Sequence, residues 1–191
     1  MDAFSYLSVL ISIILGLAVT QVLQGFRGLM LARSRVRGYW PALVWAVLVL
    51  VIAAQEWWAM YGLRVRSISH WTFPDFGFVL LQTVPVYLLA GLILPDFDGS
   101  KNLDLREHYY AHHRWFFSLI VLLVVIGFIR AWVFVGTWPG PLDFGFQVFF
   151  ATGAAIGAWT AREWYHKLLA PLAAIALGAY ILLLYTHLRL N

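Results

Sequence analysis

Hydrophobic residues in this chain fall in long uncharged blocks, broken by short clusters of charge, turn formers and aromatic rings. The blocks cover residues 3–26, 38–55, 76–95, 115–129, 144–161 and 168–186. A helix that crosses the hydrocarbon core of a bilayer needs about 20 mostly apolar residues. Six spans are therefore predicted, over approximately 3–26, 39–63, 76–95, 115–137, 144–162 and 168–188, the fourth running past an internal Arg130. The expected fold is all-α, a polytopic transmembrane helical bundle forming one integral membrane domain over residues 1–191.

The punctuation between blocks fits this reading. Trp138-Pro139-Gly140-Pro141 marks a tight loop and Pro74 precedes the third span, both being turn chemistry. Asp75-Phe76-Gly77-Phe78 and Asp143-Phe144-Gly145-Phe146 repeat one pattern at the start of spans three and five, with Asp2-Ala3-Phe4 as a looser echo. Two explanations stay open. Each Asp could be an N-cap accepting orphan backbone N–H groups, or the chain could consist of three successive helical hairpins in parallel orientation.

Span one carries Ser8, Ser12, Gly16, Thr20, Gln24 and Gly28 at intervals of four. That spacing gathers small and polar side chains on one slowly drifting helical face, expected to contact protein, either as a packing seam or beside a hydrated path. Gly153 and Gly157 suggest a second close helix contact in span five.

Composition sharpens the class. Of 191 residues, 62% are hydrophobic and 12% charged, against about a quarter charged in soluble domains. The first block is too long for a signal-peptide core and lacks a basic start, so span one is expected to stay in the membrane. No cysteine is present, which removes disulfides, thiolate metal sites and cysteine nucleophiles.

The net charge of +4 does not point to nucleic acid once the charges are placed. Six crossings collect Arg27, Arg33, Arg35, Arg37, Lys101, Arg106, Arg114, Arg162 and Lys167 on one side, and Arg64, Arg66 and Arg189 on the other. Basic loops face the cytoplasm, so both termini are expected on the non-cytoplasmic side. Trp40, Trp115, Trp164 and Tyr165 then fall at the cytoplasmic interface, and Trp57, Trp58, Trp71 and Trp138 at the outer one, as an aromatic belt should.

A resemblance also emerges. Residues 7–28 with the basic turn after them, Tyr39-Trp40-Pro41 through Gln55-Glu56-Trp57-Trp58, and His108-Tyr109-Tyr110 with His113-Arg114-Trp115-Phe116-Phe117 together resemble a family of small six-span bacterial inner-membrane proteins. The resemblance covers most of the chain and implies a bacterial inner-membrane setting. It carries no activity and no site residues.

Two constellations could carry chemistry. Intramembrane charge is costly and marks a functional candidate. At 1.5 Å per helical residue, Glu56 lies roughly 24 Å beyond Trp40 and Arg130 roughly 22 Å beyond Trp115, so an ion pair between spans two and four is plausible, with Gln55 as a further hydrogen-bond donor. Asp75, Asp143, Tyr185 and His187 fall on the same side. The second constellation is at the basic end: Glu107, His108, His112 and His113 before span four, and Glu163 with His166 between spans five and six. His108, His112, Glu163 and His166 offer the imidazole and carboxylate set that suits a transition metal; a histidine pair could also ligate haem. An interfacial helix meeting lipid headgroups is the plainer reading.

No Walker loop, dinucleotide fingerprint, nucleophile elbow or potassium-filter sequence occurs in the chain, which leaves nucleotide-driven pumping, esterase chemistry and a potassium-type filter without their usual signals. The leading expectation is a channel- or transporter-like path for an ion, proton or small solute, with an enzyme less favoured. A metal- or haem-binding redox or sensor protein, and a structural subunit packed on another membrane protein, are the alternatives. The expected partners are the lipid bilayer and a second copy or other membrane protein.

Overall fold

The computed structural model describes residues 3–65, 73–97, 103–135 and 139–184. Six helices account for most of them: α1 (Ala3–Leu31), α2 (Trp40–Val65), α3 (Phe73–Ile93), α4 (Leu105–Val135), α5 (Pro141–Trp159) and α6 (Glu163–Leu184). Two short strands, β1 (Val36–Arg37) and β2 (Leu103–Asp104), pair in parallel, Val36 with Leu103 and Arg37 with Asp104. They join the α1–α2 connection to the α3–α4 connection, helped by the Leu103 N–H donating to the Arg35 carbonyl at 3.0 Å.

Five of these helices are long and apolar enough to cross a membrane, over Ser8–Leu31, Trp40–Met60, Phe73–Ile93, Leu105–Arg130 and Glu163–Leu183. The chain is a membrane-embedded helical bundle. α5 is absent from that set because Asp143, Gln147, Thr152 and three glycines dilute its apolar content.

Helix packing follows a closed circuit. α1 lies against α3, α3 against α4, α4 against α5, α5 against α6, α6 against α2 and α2 back against α1, with α2 also touching α3. The core is built from the inner faces of these helices, with Phe117, Leu89, Val49 and Val22 fully buried. Outward faces stay apolar, as a lipid solvent requires: Ile13, Leu17, Leu81, Leu122 and Ile175 are all exposed.

Helix starts depart from the expected caps. Asp75 and Asp143 are the third residues of α3 and α5, inside the first turn, and the N-cap of α5 is Gly140. Proline explains the shift, since Pro74 and Pro141 are pre-set for the first helical positions. An acidic group there still opposes the positive end of the helix dipole. A true acidic cap occurs at α4, where Asp104 Oδ1 accepts the backbone N–H groups of Arg106 (2.8 Å) and Glu107 (3.3 Å). This cap starts α4 at Leu105, upstream of the expected residue 115, so the histidine-rich segment is a continuous part of the helix.

The polar face of span one meets protein at Gly28, which packs on Phe97, but departs from expectation over its middle. Ile11, Leu15, Ala18 and Val22 form the buried stripe of α1, while Gly16, Thr20 and Gln24 are exposed and Ser8 and Ser12 half-buried. Thr20 satisfies its hydroxyl by donating to the Gly16 carbonyl at 2.8 Å, which lets it face lipid without an unpaired donor. In α5 the small residues do meet neighbours: a β-carbon on Gly157 would lie 3.2 Å from the Phe117 ring, and one on Gly153 would lie 3.0 Å from Leu169.

Candidate functional site

Glu56 on α2 stands at the meeting point of three helices. Gln82 on α3 donates from Nε2 to Glu56 Oε1 at 2.9 Å, and Arg130 on α4 places Nη1 3.7 Å from Glu56 Oε2. Glu56 and Gln82 are buried, and the Arg130 side chain is 21% exposed. Glu56 and Arg130 therefore meet as an ion pair, but at a separation beyond direct hydrogen-bond range. Gln82 Oε1 is also buried and has no hydrogen-bond partner among the described residues. The cluster thus holds polar capacity that it does not use internally.

The amide partner of Glu56 is Gln82 and not Gln55. Adjacent residues on a helix point about 100° apart, so Gln55, half-buried, is directed away from the carboxylate that Glu56 presents to α3 and α4. Gln82 stood unmarked in the sequence because a single Gln in an apolar span has no spacing signal. Its position seven residues after Asp75 carries no chemistry by itself.

A second polar group links α5 and α6. Asp143 Oδ1 accepts from Gln147 Nε2 at 2.8 Å and from the Tyr180 hydroxyl at 3.1 Å. Asp75, half-buried, also has interaction partners. Tyr185 and His187, expected on this side, lie outside the described residues.

At the basic end, the four expected metal ligands separate. His108 and His112 stack with ring centroids 4.5 Å apart, but His108 Nε2 bonds the Leu92 carbonyl at 3.0 Å and His112 Nδ1 the His108 carbonyl at 2.9 Å. Glu163 is engaged by Arg106 at 3.0 Å and Lys167 at 2.9 Å. His166 is fully buried elsewhere, between Tyr109, Tyr110, His113 and Phe117. Among the described residues no three His, Cys, Asp or Glu side chains gather as a metal site requires. The reason is helical geometry: Tyr109 and His113 occupy the face of α4 that meets α6, and His108 and His112 are turned one residue away from it.

His166 also lacks a free lone pair. A carbonyl only accepts, so Nε2 must carry the proton it shares with the Thr160 oxygen at 2.8 Å, and Nδ1 must accept the Tyr109 hydroxyl at 3.0 Å. Both ring nitrogens are thus occupied, which suits a structural joint and disfavours axial ligation of haem. Around the imidazole, the Tyr39 and Tyr110 hydroxyls share a 3.0 Å hydrogen bond, and Arg106 covers the Tyr110 ring with its guanidinium 5.4 Å from the centroid. Burial, and then the hydrogen bond with Tyr110, push the Tyr39 hydroxyl well above the ordinary phenol range. It is a neutral donor or acceptor at any physiological pH.

Comparison with protein-family models, with curated proteins and with solved structures finds no match. What the chain can do is therefore read from its own side chains, and the Glu56, Gln82 and Arg130 cluster is the strongest candidate.

Proposed function

We propose that the protein is a channel- or transporter-like membrane protein, in which Glu56, Gln82 and Arg130 form the polar site on a path for an ion, proton or small solute. One observation carries this reading: three helices bring charge and amide groups together inside the bundle and leave part of their bonding capacity open. A half-satisfied polar network costs more than apolar packing would, and ionisable groups within membrane spans mark substrate and proton routes.

The same reading takes α5 as a sixth crossing helix, with both termini on the non-cytoplasmic side of a bacterial inner membrane. Its support is the nine-to-three division of basic residues and the length of α5, whose 19 residues extend about 28 Å. A chain of this size encloses little space, so the working unit is taken to be a homo-oligomer.

The test is flux in liposomes reconstituted with purified protein, loaded with a pH-sensitive dye and challenged in turn with gradients of protons, sodium, potassium and chloride. Wild-type protein is expected to accelerate at least one flux over empty liposomes, and Glu56→Gln to slow it about tenfold, a barrier change of about 1.4 kcal/mol. No flux above the empty control in any gradient would end the proposal.

A further inference from the structure

A cavity of about 830 Å³ opens between the basic ends of α1 and α3, within the range of small-molecule sites. Gln21, Gln24, Arg27, Arg35, Gly91 and Asp96 contribute to its lining. Close packing builds its inner wall: Gly25 and Gly28 of α1 admit the side chains of Leu94 and Phe97 so tightly that neither position has room for a β-carbon. The cavity is independent of the Glu56 cluster, which lies toward the other end of α2 and α3.

Both signs of charge face into this space. Arg27 and Arg35 offer guanidinium donors, whose forked geometry matches a phosphate. Asp96 offers a carboxylate, and Gln21 Oε1 is buried with no hydrogen-bond partner among the described residues. α1 and α3 end here, at Leu31 and Ile93, and helix C-termini favour cations. Among the described residues the four ion pairs engage neither Arg27 nor Asp96. Phosphate chemistry alone would leave Asp96 and Gln21 opposed to the ligand, whereas a zwitterion also brings them a cation, and Arg35 keeps its own further contact beside the phosphate.

The geometry points to a site for the phosphoethanolamine headgroup of a membrane phospholipid. Its phosphodiester would sit on Arg27 and Arg35, and its ammonium, with three N–H donors, on Asp96, with Gln21 able to join it only by turning its amide oxygen out from over Gly91. A lipid source fits the surroundings better than a soluble one. The cavity lies at the ends of two membrane-spanning helices, and on α3 the exposed Leu88, Val84 and Leu81 lead away from the exposed Gly91 along one face. That apolar strip would carry an acyl chain.

The test uses the full-length protein in mild detergent, mixed with equal amounts of dioleoyl phosphatidylethanolamine, phosphatidylglycerol and phosphatidylcholine, with bound lipid read by native mass spectrometry. One phosphatidylethanolamine per chain is expected, favoured about tenfold over phosphatidylcholine, whose ammonium has no N–H to donate; tenfold corresponds to about 1.4 kcal/mol. Asp96→Asn is expected to erase the preference over phosphatidylglycerol, and the Arg27→Ala/Arg35→Ala pair to lower retention of both. Gly91→Leu keeps every charge but crowds the cavity and displaces Gln21, whose Oε1 would lie 2.9 Å from the new β-carbon, so it should also release the lipid. Equal retention of phosphatidylcholine, or retention unchanged in the double arginine variant and in Gly91→Leu, overturns the site. Competition by free glycerophosphoethanolamine at concentrations matching the lipid overturns the lipid as its source.

Discussion

His166 donates a hydrogen bond from Nε2 to the carbonyl oxygen of Thr160 at 2.8 Å, so a side chain in the first turn of α6 closes the short connection that leads into it. Thr160 has extended backbone (φ −105°, ψ 136°) and its own N–H closes α5 by donating to Ile156. The imidazole completes this joint and passes its other nitrogen to Tyr109 of α4. Three helices are fixed by one ring.

Replacing that ring tests its role as a joint. His166→Phe conserves bulk but strands a partly buried carbonyl and a buried hydroxyl, and is expected to cost about 2 kcal/mol of stability. Tyr109→Phe removes only the hydroxyl donated to Nδ1 and should cost about 1 kcal/mol. Unfolding of the purified protein in detergent, followed by intrinsic tryptophan fluorescence, reads both; equal stability of wild type and His166→Phe would mean the joint carries no load.

The Glu56 cluster calls for a double-mutant comparison. Arg130→Met leaves Glu56 as a buried carboxylate with only Gln82 for support, and should destabilise the protein by about 3 kcal/mol. Adding Glu56→Gln removes the stranded charge and is expected to recover most of that loss. Strict additivity of the two substitutions, against an expected coupling of about 1–3 kcal/mol for groups in one network, would show that the 3.7 Å pair contributes no interaction of its own.

Topology can be read directly, because the chain has no cysteine to remove. Single substitutions Ser34→Cys, Gly140→Cys and Ala161→Cys place a thiol at exposed positions between helices. A membrane-impermeant maleimide applied to intact cells is expected to label Gly140→Cys alone, with Ser34→Cys and Ala161→Cys reacting only after permeabilisation. If Gly140→Cys and Ala161→Cys behave alike, α5 does not cross the bilayer.

The helices were legible in the sequence because lipid imposes a coarse rule: uncharged blocks near span length must satisfy their backbone internally. Position within the bundle was harder to read. The four-residue spacing of Ser8, Ser12, Thr20 and Gln24 predicts a shared face but not its direction, and the apolar stripe of Ile11, Leu15, Ala18 and Val22 competes for the same contact. His108 and His112 likewise share a face of α4, while the neighbours that meet His166 are Tyr109 and His113, one residue along. Asp104 was within reach, since Asp followed three residues later by Glu107 is a helix-start pattern. Gln82 was not, because its partner Glu56 is 26 residues distant on another helix.

The two-residue ladder between β1 and β2 gives the bundle a fixed end. It ties the turn between α1 and α2 to the segment entering α4, close in sequence to the Tyr39–Tyr110 and Arg106–Glu163 contacts. Any tilt of α2 against α4 about that end would displace residues in proportion to their distance from it, and so would alter the 3.7 Å separation of Glu56 and Arg130 more than the contacts beside the ladder.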